Sequence, residues 1–380
     1  DGDKDVVTVG AGDGKLSWHE NLGLGSFGPR QVIAYGEGEL VRVACGDLDG
    51  DGDRDLAIAS RSKNRIAWFR NLGGGSFGPR IVLAGYAAEA SAVHLADIDG
   101  DADLDVLATA SDDDRVLLFK NLGAGVFTPG QELDDAAGAP SDVTTGDVDG
   151  DGDVDLFVTN VGRNVLWRNE GDGTFTDVTD AAGLTEDAWS TSAAFLDYDG
   201  DGDLDLFHCN YIRWSSSNEV PCSNKLGEPD YCHPNNYDAP DVDRLWRNEG
   251  DGTFTDVTEA SGIAKVFGNG LGVAWGDLTG DGLVDIYVAN DGMANQLWVN
   301  RGSGRFQDQA LAKGCALSGE GKAEAGMGVL LEDLDGDLRL DLFVTHLRSE
   351  TNTFYRSRSR RFADDTRRTG TVEASLNFTA

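Results

Sequence analysis

Hydrophobic and polar positions along this chain alternate over short runs, and long apolar stretches with a helical period are hardly found. One fifty-residue stretch sets the pattern. It predicts four short strands, at Leu40 to Gly46, Leu56 to Ser60, Arg65 to Asn71 and Pro79 to Ala84, with a run of aspartates between the first two. Each has ordinary strand length and is bounded by glycine-rich turns. The 51 glycines also argue against helices, since glycine in a helix interior costs about 1 kcal/mol relative to alanine.

The stretch repeats. The nine-residue loop Asp47-Leu48-Asp49-Gly50-Asp51-Gly52-Asp53-Arg54-Asp55 returns at Asp97, Asp147 and Asp197, each 50 residues on, and again at Asp277 and Asp333. Asp1-Gly2-Asp3-Lys4-Asp5 matches its second half. A second marker, Gly-x-Phe, recurs independently at Phe27, Phe77, Phe127, Phe175, Phe254, Phe306 and Phe362. Seven units of four strands predict an all-β, seven-bladed propeller of four-stranded antiparallel blades, a single domain over 1–380. The rival is a linear solenoid. The chain ends favour the ring, because the first unit lacks its first strand while 371–380 is a surplus strand-like segment. This closing strand is expected to pair with the first blade.

Charge changes the picture more than composition does. With 26% charged and 40% apolar residues the chain is globular in type, but 67 acids against 31 bases leave a net charge of −36. Such an excess repels phosphate backbones and anionic lipid and attracts divalent cations, so the expected partners include no nucleic acid and no membrane. No run of about 18 apolar residues spans a bilayer, and the sequence opens on Asp1 without a leader pattern, so any secretion signal is expected to have been removed or never to have been part of this sequence.

The loops have the spacing of a calcium turn. Oxygen ligands at positions 1, 3, 5 and 9, a backbone carbonyl at 7 and glycine at 6 supply most of the six to eight oxygens that Ca²⁺ takes at about 2.3–2.6 Å. The candidate ligands are Asp47, Asp49, Asp51, Asp53 and Asp55; Asp97, Asp99, Asp101, Asp103 and Asp105; Asp147, Asp149, Asp151, Asp153 and Asp155; and Asp197, Asp199, Asp201, Asp203 and Asp205. The later loops offer Asp277, Thr279, Asp281, Leu283 and Asp285, then Asp333, Asp335, Asp337, Arg339 and Asp341, and the first unit offers Asp1 and Asp5. Without an ion the crowded carboxylates would repel one another, so metal binding and folding are expected to be coupled. Up to seven Ca²⁺ are expected. The weakest sites are those at Asp277, where Thr279 removes a charge, and at Asp333, where Leu338 replaces the turn glycine and implies strain or a different turn. In the Asp97 loop Ala102 replaces that glycine.

These loops, with Phe27-Gly28 and Phe77-Gly78, resemble the FG-GAP or VCBS repeat of integrin α-chain propellers and of many secreted bacterial proteins. From about residue 156 the chain is more similar still to the cartilage acidic protein-like, ASPIC-UnbV-associated group. Leu166 to Thr179, Arg244 to Thr258 and Asn290-Asp291-Gly292-Met293 carry that likeness. The resemblance implies an extracellular propeller with calcium hairpins on one face and a protein or matrix partner on the other. It also implies a disulfide between Cys222 and Cys232. The sequence departs from the family at Arg356 to Arg361, which replaces an Asn-x-Gly-x-Gly run, and the C-terminal domain that the resemblance implies beyond the propeller is not among these 380 residues, so no role that depends on it is expected of them.

The second strand of a unit leaves the acidic loop and ends about 17 Å away, on the opposite face, at Gly10, Ser60, Ala110, Asn160, Asn210, Asn290 and His346. Turn chemistry accounts for the asparagines better than a lopsided binding site does. The interval from Asp197 to Asp277 is 80 residues instead of 50, so 211–243 is an insertion on that face. Its aromatic residues Trp214, Tyr231 and Tyr237 are candidate partner contacts. Arg358, Arg360 and Arg361, in a basic stretch of seven arginines against three acids from Arg348 to Arg368, are further candidates, with a solvated hairpin balancing nearby carboxylates as the plainer reading. Cys45, on an inner strand, is expected to be a small buried hydrophobe, and Cys209 and Cys315 free or paired.

The five histidines have no zinc-like spacing, and no nucleophile elbow or phosphate loop occurs, so the sequence gives catalysis little support. The expected function is a secreted or surface-exposed, calcium-binding interaction or adhesion module for a protein or polysaccharide partner, extracellular or periplasmic. The alternatives are a lectin or polysaccharide-active enzyme using the insertion face, and a structural subunit of a larger extracellular assembly.

Overall fold

A computed structural model describes residues 3–134, 138–223, 227, 232–347, 350–359 and 361–369. Short antiparallel strands dominate, and helix is limited to single turns such as Thr258–Ser261 and Ala310–Lys313. The architecture is an all-β propeller built from four-stranded antiparallel blades.

In the second repeat Leu40–Gly46, Asp55–Ser60, Arg65–Phe69 and Ile81–Ala84 pair in sequence order, and Ala90–Asp134, Gly270–Asp308 and Gly326–Asp364 repeat that meander. The strand after the acidic loop is buried along its whole length in four repeats, as in Asp55–Ser60 and Asp285–Asn290, and over its first six residues in Asp155–Arg163. That is why these segments are runs of Leu, Ile, Val and Ala rather than strict alternations: both faces pack against neighbouring sheets. Trp68, Phe119, Leu56 and Leu117 fill the space between successive sheets.

Seven separate four-stranded blades are not what forms. The described residues make six sheets: one of three strands, four of four strands and one of eight. The eight-stranded sheet joins the fourth and fifth repeats. Asp155–Arg163 runs on for nine residues, and its end, Val161 to Arg163, pairs with Trp189 to Asp187 at the start of the next repeat's first strand. The three-stranded sheet is the first repeat, Val6–Val9, Leu16–His19 and Gln31–Ala34. The closing strand expected over 371–380 lies outside the described residues.

The first strands of successive sheets pack on one another from Leu40–Gly46 round to Gly326–Glu332. The last sheet then meets the first: Val6 and Phe27 pack with Leu334, Phe343 and Phe354, and the Phe27 and Phe354 rings meet edge-on at 6.3 Å. Phe27 N also donates to Thr369 O at 2.8 Å.

Two expectations about the inner strands and the far face are decided here. Cys45 is exposed, not buried. First strands pack on their neighbours with part of their surface only, and they leave Trp275, Met327 and Leu330 exposed as well. The ring of strand ends is turn chemistry: Ser60, Ala110, Asn160, Asn210 and Asn290 are fully buried. Asn160 Nδ2 donates to Arg163 O at 2.9 Å, and Asn290 Nδ2 to Ala294 O at 2.9 Å.

Candidate metal centre

Each acidic loop is wound by its own aspartates. Asp47 Oδ1 accepts from Gly50 N at 2.8 Å and Asp51 N at 3.2 Å, and Asp47 Oδ2 accepts from Gly52 N at 2.9 Å. Asp51 Oδ1 accepts from Asp53 N at 2.9 Å. The loops at Asp97, Asp147, Asp197, Asp277 and Asp333 repeat the first of these bonds at 2.6–2.8 Å. The two non-glycine residues at position 6 take the same turn: Ala102 has φ 74° and Leu338 φ 67°. Leu338 therefore adopts the strained option and not a different turn, and its N–H still reaches Asp333 Oδ2 at 2.8 Å.

The ninth position is the deepest. Asp55, Asp105, Asp155, Asp205, Asp285 and Asp341 are fully buried. Each accepts one backbone N–H from position 2 of its own loop and one from the end of the third strand, for Asp155 from Val148 at 3.0 Å and Asn169 at 2.9 Å. Burial foremost, then the neighbouring aspartates, raises these carboxyls: to about 6 at Asp105, Asp155, Asp285 and Asp341, and to about 7 at Asp205.

Ligand-capable oxygens converge in five loops among the described residues. Asp47, Asp49 and Asp55 present oxygens within 4.8 Å of one another, as do Asp147, Asp149 and Asp155; Asp197, Asp199 and Asp205; Asp333, Asp335 and Asp341; and Asp97, Asp99 and Asp101. Position 5 at Asp51, Asp151, Asp201 and Asp337 and position 7 at Asp53, Asp103, Asp153 and Asp203 stand outside these groups, as does Asp105. The loop at Asp277 forms no such group, consistent with Thr279 in place of an acid. Asp1 lies outside the described residues, and Asp5 accepts from Asn21 N at 2.7 Å. The donors are hard oxygens throughout, and Asp335 Oδ1 is buried without a hydrogen-bond partner. Such a set fits a hard divalent cation.

An asparagine that the sequence reading passed over holds the loops in place. Asn121 Nδ2 donates to Leu104 O in its own loop at 3.1 Å and to Leu48 O in the preceding loop at 2.8 Å. Asn169, Asn248 and Asn300 do the same toward Ile98, Val148 and Tyr198 at 2.8–2.9 Å. Each pairs across strands with its repeat's marker phenylalanine, as Asn169 does with Phe175. The signal was present: asparagine stands six residues before that phenylalanine in six repeats; in the seventh, Ser357, five before Phe362, pairs with it instead.

On the insertion, Cys222 and Cys232 form a disulfide, whereas Cys45, Cys209 and Cys315 are free. Trp214 is 39% exposed. It meets Trp189 at 6.1 Å, and Trp189 meets Tyr211 at 5.2 Å, both nearly perpendicular. Tyr211 Oη donates to Asp291 Oδ2 at 2.6 Å. Trp214 Nε1 and Tyr237 Oη both donate to Glu219, the latter at 3.2 Å. Tyr231 and Arg360 lie outside the described residues. Arg358 Nη2 pairs with Asp365 at 2.9 Å, where Arg356 at 3.1 Å and Arg368 at 3.7 Å converge as well; Arg361 is exposed. Glu186, its carboxyl raised to about 7 by burial, lies 3.4 Å from His208, whose imidazole burial depresses to about 3. His208 Nε2 already accepts from Trp246 Nε1 at 3.1 Å. It is a saturated core histidine.

A family model for the FG-GAP-like repeat matches residues 1–58, 47–108, 102–158, 147–208, 231–288 and 277–344. The chain belongs to the FG-GAP-like repeat family. Cartilage acidic protein 1 of Xenopus tropicalis is 30% identical over 150 residues, covering 38% of this chain and 22% of that protein. The human cartilage acidic protein 1 is 29% identical over 156 residues, 40% and 21% of the two chains. The match thus spans about a fifth of these relatives' length. Among solved structures, a lectin of Agrocybe aegerita that recognises non-reducing terminal N-acetylglucosamine aligns with a TM-score of 0.57 at 18% identity, over 95% of this chain and 89% of that one. These FG-GAP-like repeats share its fold.

Proposed function

We propose that this chain is a calcium-binding propeller that works outside the cell as a protein- or matrix-interaction module. Its acidic loops take Ca²⁺, with the weakest binding at Asp277 and Asp333, and its insertion face receives the partner. The metal part of the reading is supported by hard oxygens converging within 4.8 Å in five loops, four of which include the buried ninth aspartate. When bound, the ion would supply positive charge among the crowded carboxylates; Asp47, Asp49 and Asp55 and their counterparts would hold it.

The single observation that carries the partner reading is the partly exposed aromatic group that Trp189 forms with Tyr211 and Trp214 of the insertion, which the Cys222–Cys232 disulfide closes into a loop further on. Rigid aromatic side chains lose little entropy on binding. The disulfide favours an oxidising compartment, and no helix among the described residues is long and apolar enough to cross a membrane. A lectin is the second reading, favoured by the same aromatic surface and by the fold shared with the Agrocybe aegerita lectin.

Protein and glycan arrays probed with the full chain, with and without Ca²⁺, test both. A Ca²⁺-dependent protein ligand lost in W214A supports the interaction module. A glycan ligand lost in W214A supports the lectin, and hits that W214A leaves unchanged would contradict the insertion face as the site.

A further inference from the structure

In the repeats whose acidic loop has an aspartate at the third position, a base precedes the stapling asparagine or its counterpart Ser357, at Arg70, Lys120, Arg168, Arg247 and Arg356, whereas in the first repeat, whose loop is present only from its second half, Glu20 stands there. Arg70 forms an ion pair with Asp49 and lies 3.8 Å from Asp51. Lys120 Nζ lies 3.3 Å from Asp99, and Arg356 Nη1, in the repeat where Ser357 stands for the asparagine, 3.3 Å from Asp335. Arg168 and Arg247 occupy the same place and feel Asp149 with Asp151, and Asp199, respectively. Their guanidinium groups, however, are bonded to Glu170 at 2.8 Å and to Glu249 at 2.7 Å. The sixth repeat, with Thr279 at the third position, has Val299 there. A base is thus engaged at the loops of Asp47, Asp97 and Asp333, drawn aside at those of Asp147 and Asp197, and absent at that of Asp277.

We infer that these basic residues are built-in counterions that compete with the metal for the third-position carboxylate and grade metal affinity around the ring. The inference rests on the metal reading above. A divalent ion entering the Asp47 loop must displace Arg70 from Asp49 and then bear its positive charge nearby. At the Asp147 loop Glu170 already neutralises Arg168, so the third carboxylate is free to ligate. Counting acids does not give this order, because the loops at Asp47, Asp97, Asp147 and Asp197 have the same five aspartates. The loops at Asp147 and Asp197 load first.

Calorimetric titration of the full chain with Ca²⁺ alone tests this, using R70Q/K120Q and E170Q/E249Q, at exposed positions except the partly buried Lys120. R70K is the charge-preserving control, and unperturbed circular dichroism is required of each variant. Removing the engaged bases is expected to tighten the weaker class of sites about fivefold, the upper range for an exposed ion pair. Freeing the two arginines in E170Q/E249Q is expected to weaken the tighter class by a similar factor, and both effects shrink at high salt. R70K is expected to match the wild type. Unchanged or weaker binding in R70Q/K120Q would overturn the inference while leaving the metal reading standing; no Ca²⁺ binding by the wild type would overturn both.

Discussion

Asn21 and Leu334 are 313 residues apart in the chain, and Asn21 Nδ2 donates to Leu334 O at 2.9 Å. This bond between the first and last repeats has the same partners, an asparagine amide and a second-position carbonyl, as the bonds from Asn121, Asn169, Asn248 and Asn300 to the loops before them. One interaction therefore links successive loops and also closes the ring. Because the accepting carbonyl sits between the first and third loop positions, the staple fixes the backbone on which the candidate ligands stand.

Replacing such an asparagine leaves buried carbonyls without donors. Asn248 Nδ2 serves Val148 O at 2.8 Å and Leu204 O at 3.0 Å, so N248A is expected to lose about 2–4 kcal/mol in urea unfolding. Asn21→Ala is expected to cost about as much. A loss below about 0.5 kcal/mol, the scale of an ordinary surface substitution, would remove the staple from the list of what holds the ring.

The buried ninth aspartates set a pH dependence. Their carboxyls are raised in the folded chain, to about 6 or 7 at Asp105, Asp155, Asp205, Asp285 and Asp341. Between the unfolded value, about 4, and these values the folded state binds more protons than the unfolded one. Stability of the metal-free chain therefore falls as pH rises through that window. Melting in chelator is expected at a higher temperature at pH 5.5 than at pH 8, and the gain on adding Ca²⁺ is expected to be larger at pH 8. A metal-free chain that becomes more stable on going from pH 5.5 to 8 would contradict this.

At Leu338 the backbone has φ 67° and the side chain is 94% exposed. Glycine removes the left-handed penalty of about 1–2 kcal/mol but adds unfolded-state entropy, so L338G is expected to stabilise the chain by about 0.5–1 kcal/mol. Differential melting of L338G against the wild type checks the sign; a lower melting temperature would contradict it.

The thiols give a chemical check. Cys45 is exposed, Cys209 and Cys315 are buried, and Cys222 and Cys232 are joined. A thiol reagent is expected to count one group in the native chain and three after unfolding without reductant. Two or more fast-reacting thiols in the native chain would contradict the packing of the fourth to seventh repeats.

Much of this was legible because the loops repeat residue types at fixed spacing, and spacing decides which oxygens can meet. The first, third and ninth positions do meet in four loops, and the Asp277 loop falls short at Thr279, as expected. What was not legible depends on pairing between segments. Nothing in the composition of Val161 to Arg163 marks it as the strand end that runs into Asp187 to Trp189 and merges two repeats into one sheet. The ninth aspartate looked like one ligand among several, but its burial and its two backbone donors make it part of the frame. Trp189 lies outside the insertion, so only the fold brings it against Tyr211 and Trp214.

The strongest test is thermal unfolding of the full chain at pH 7.5 in Ca²⁺, after chelation, and after Ca²⁺ is restored. If the acidic loops hold ions that stiffen the ring, chelation lowers the melting temperature by about 10 °C or more, since several sites each contribute up to about 3 kcal/mol, and restored Ca²⁺ brings it back. An identical melting temperature in all three conditions would contradict it.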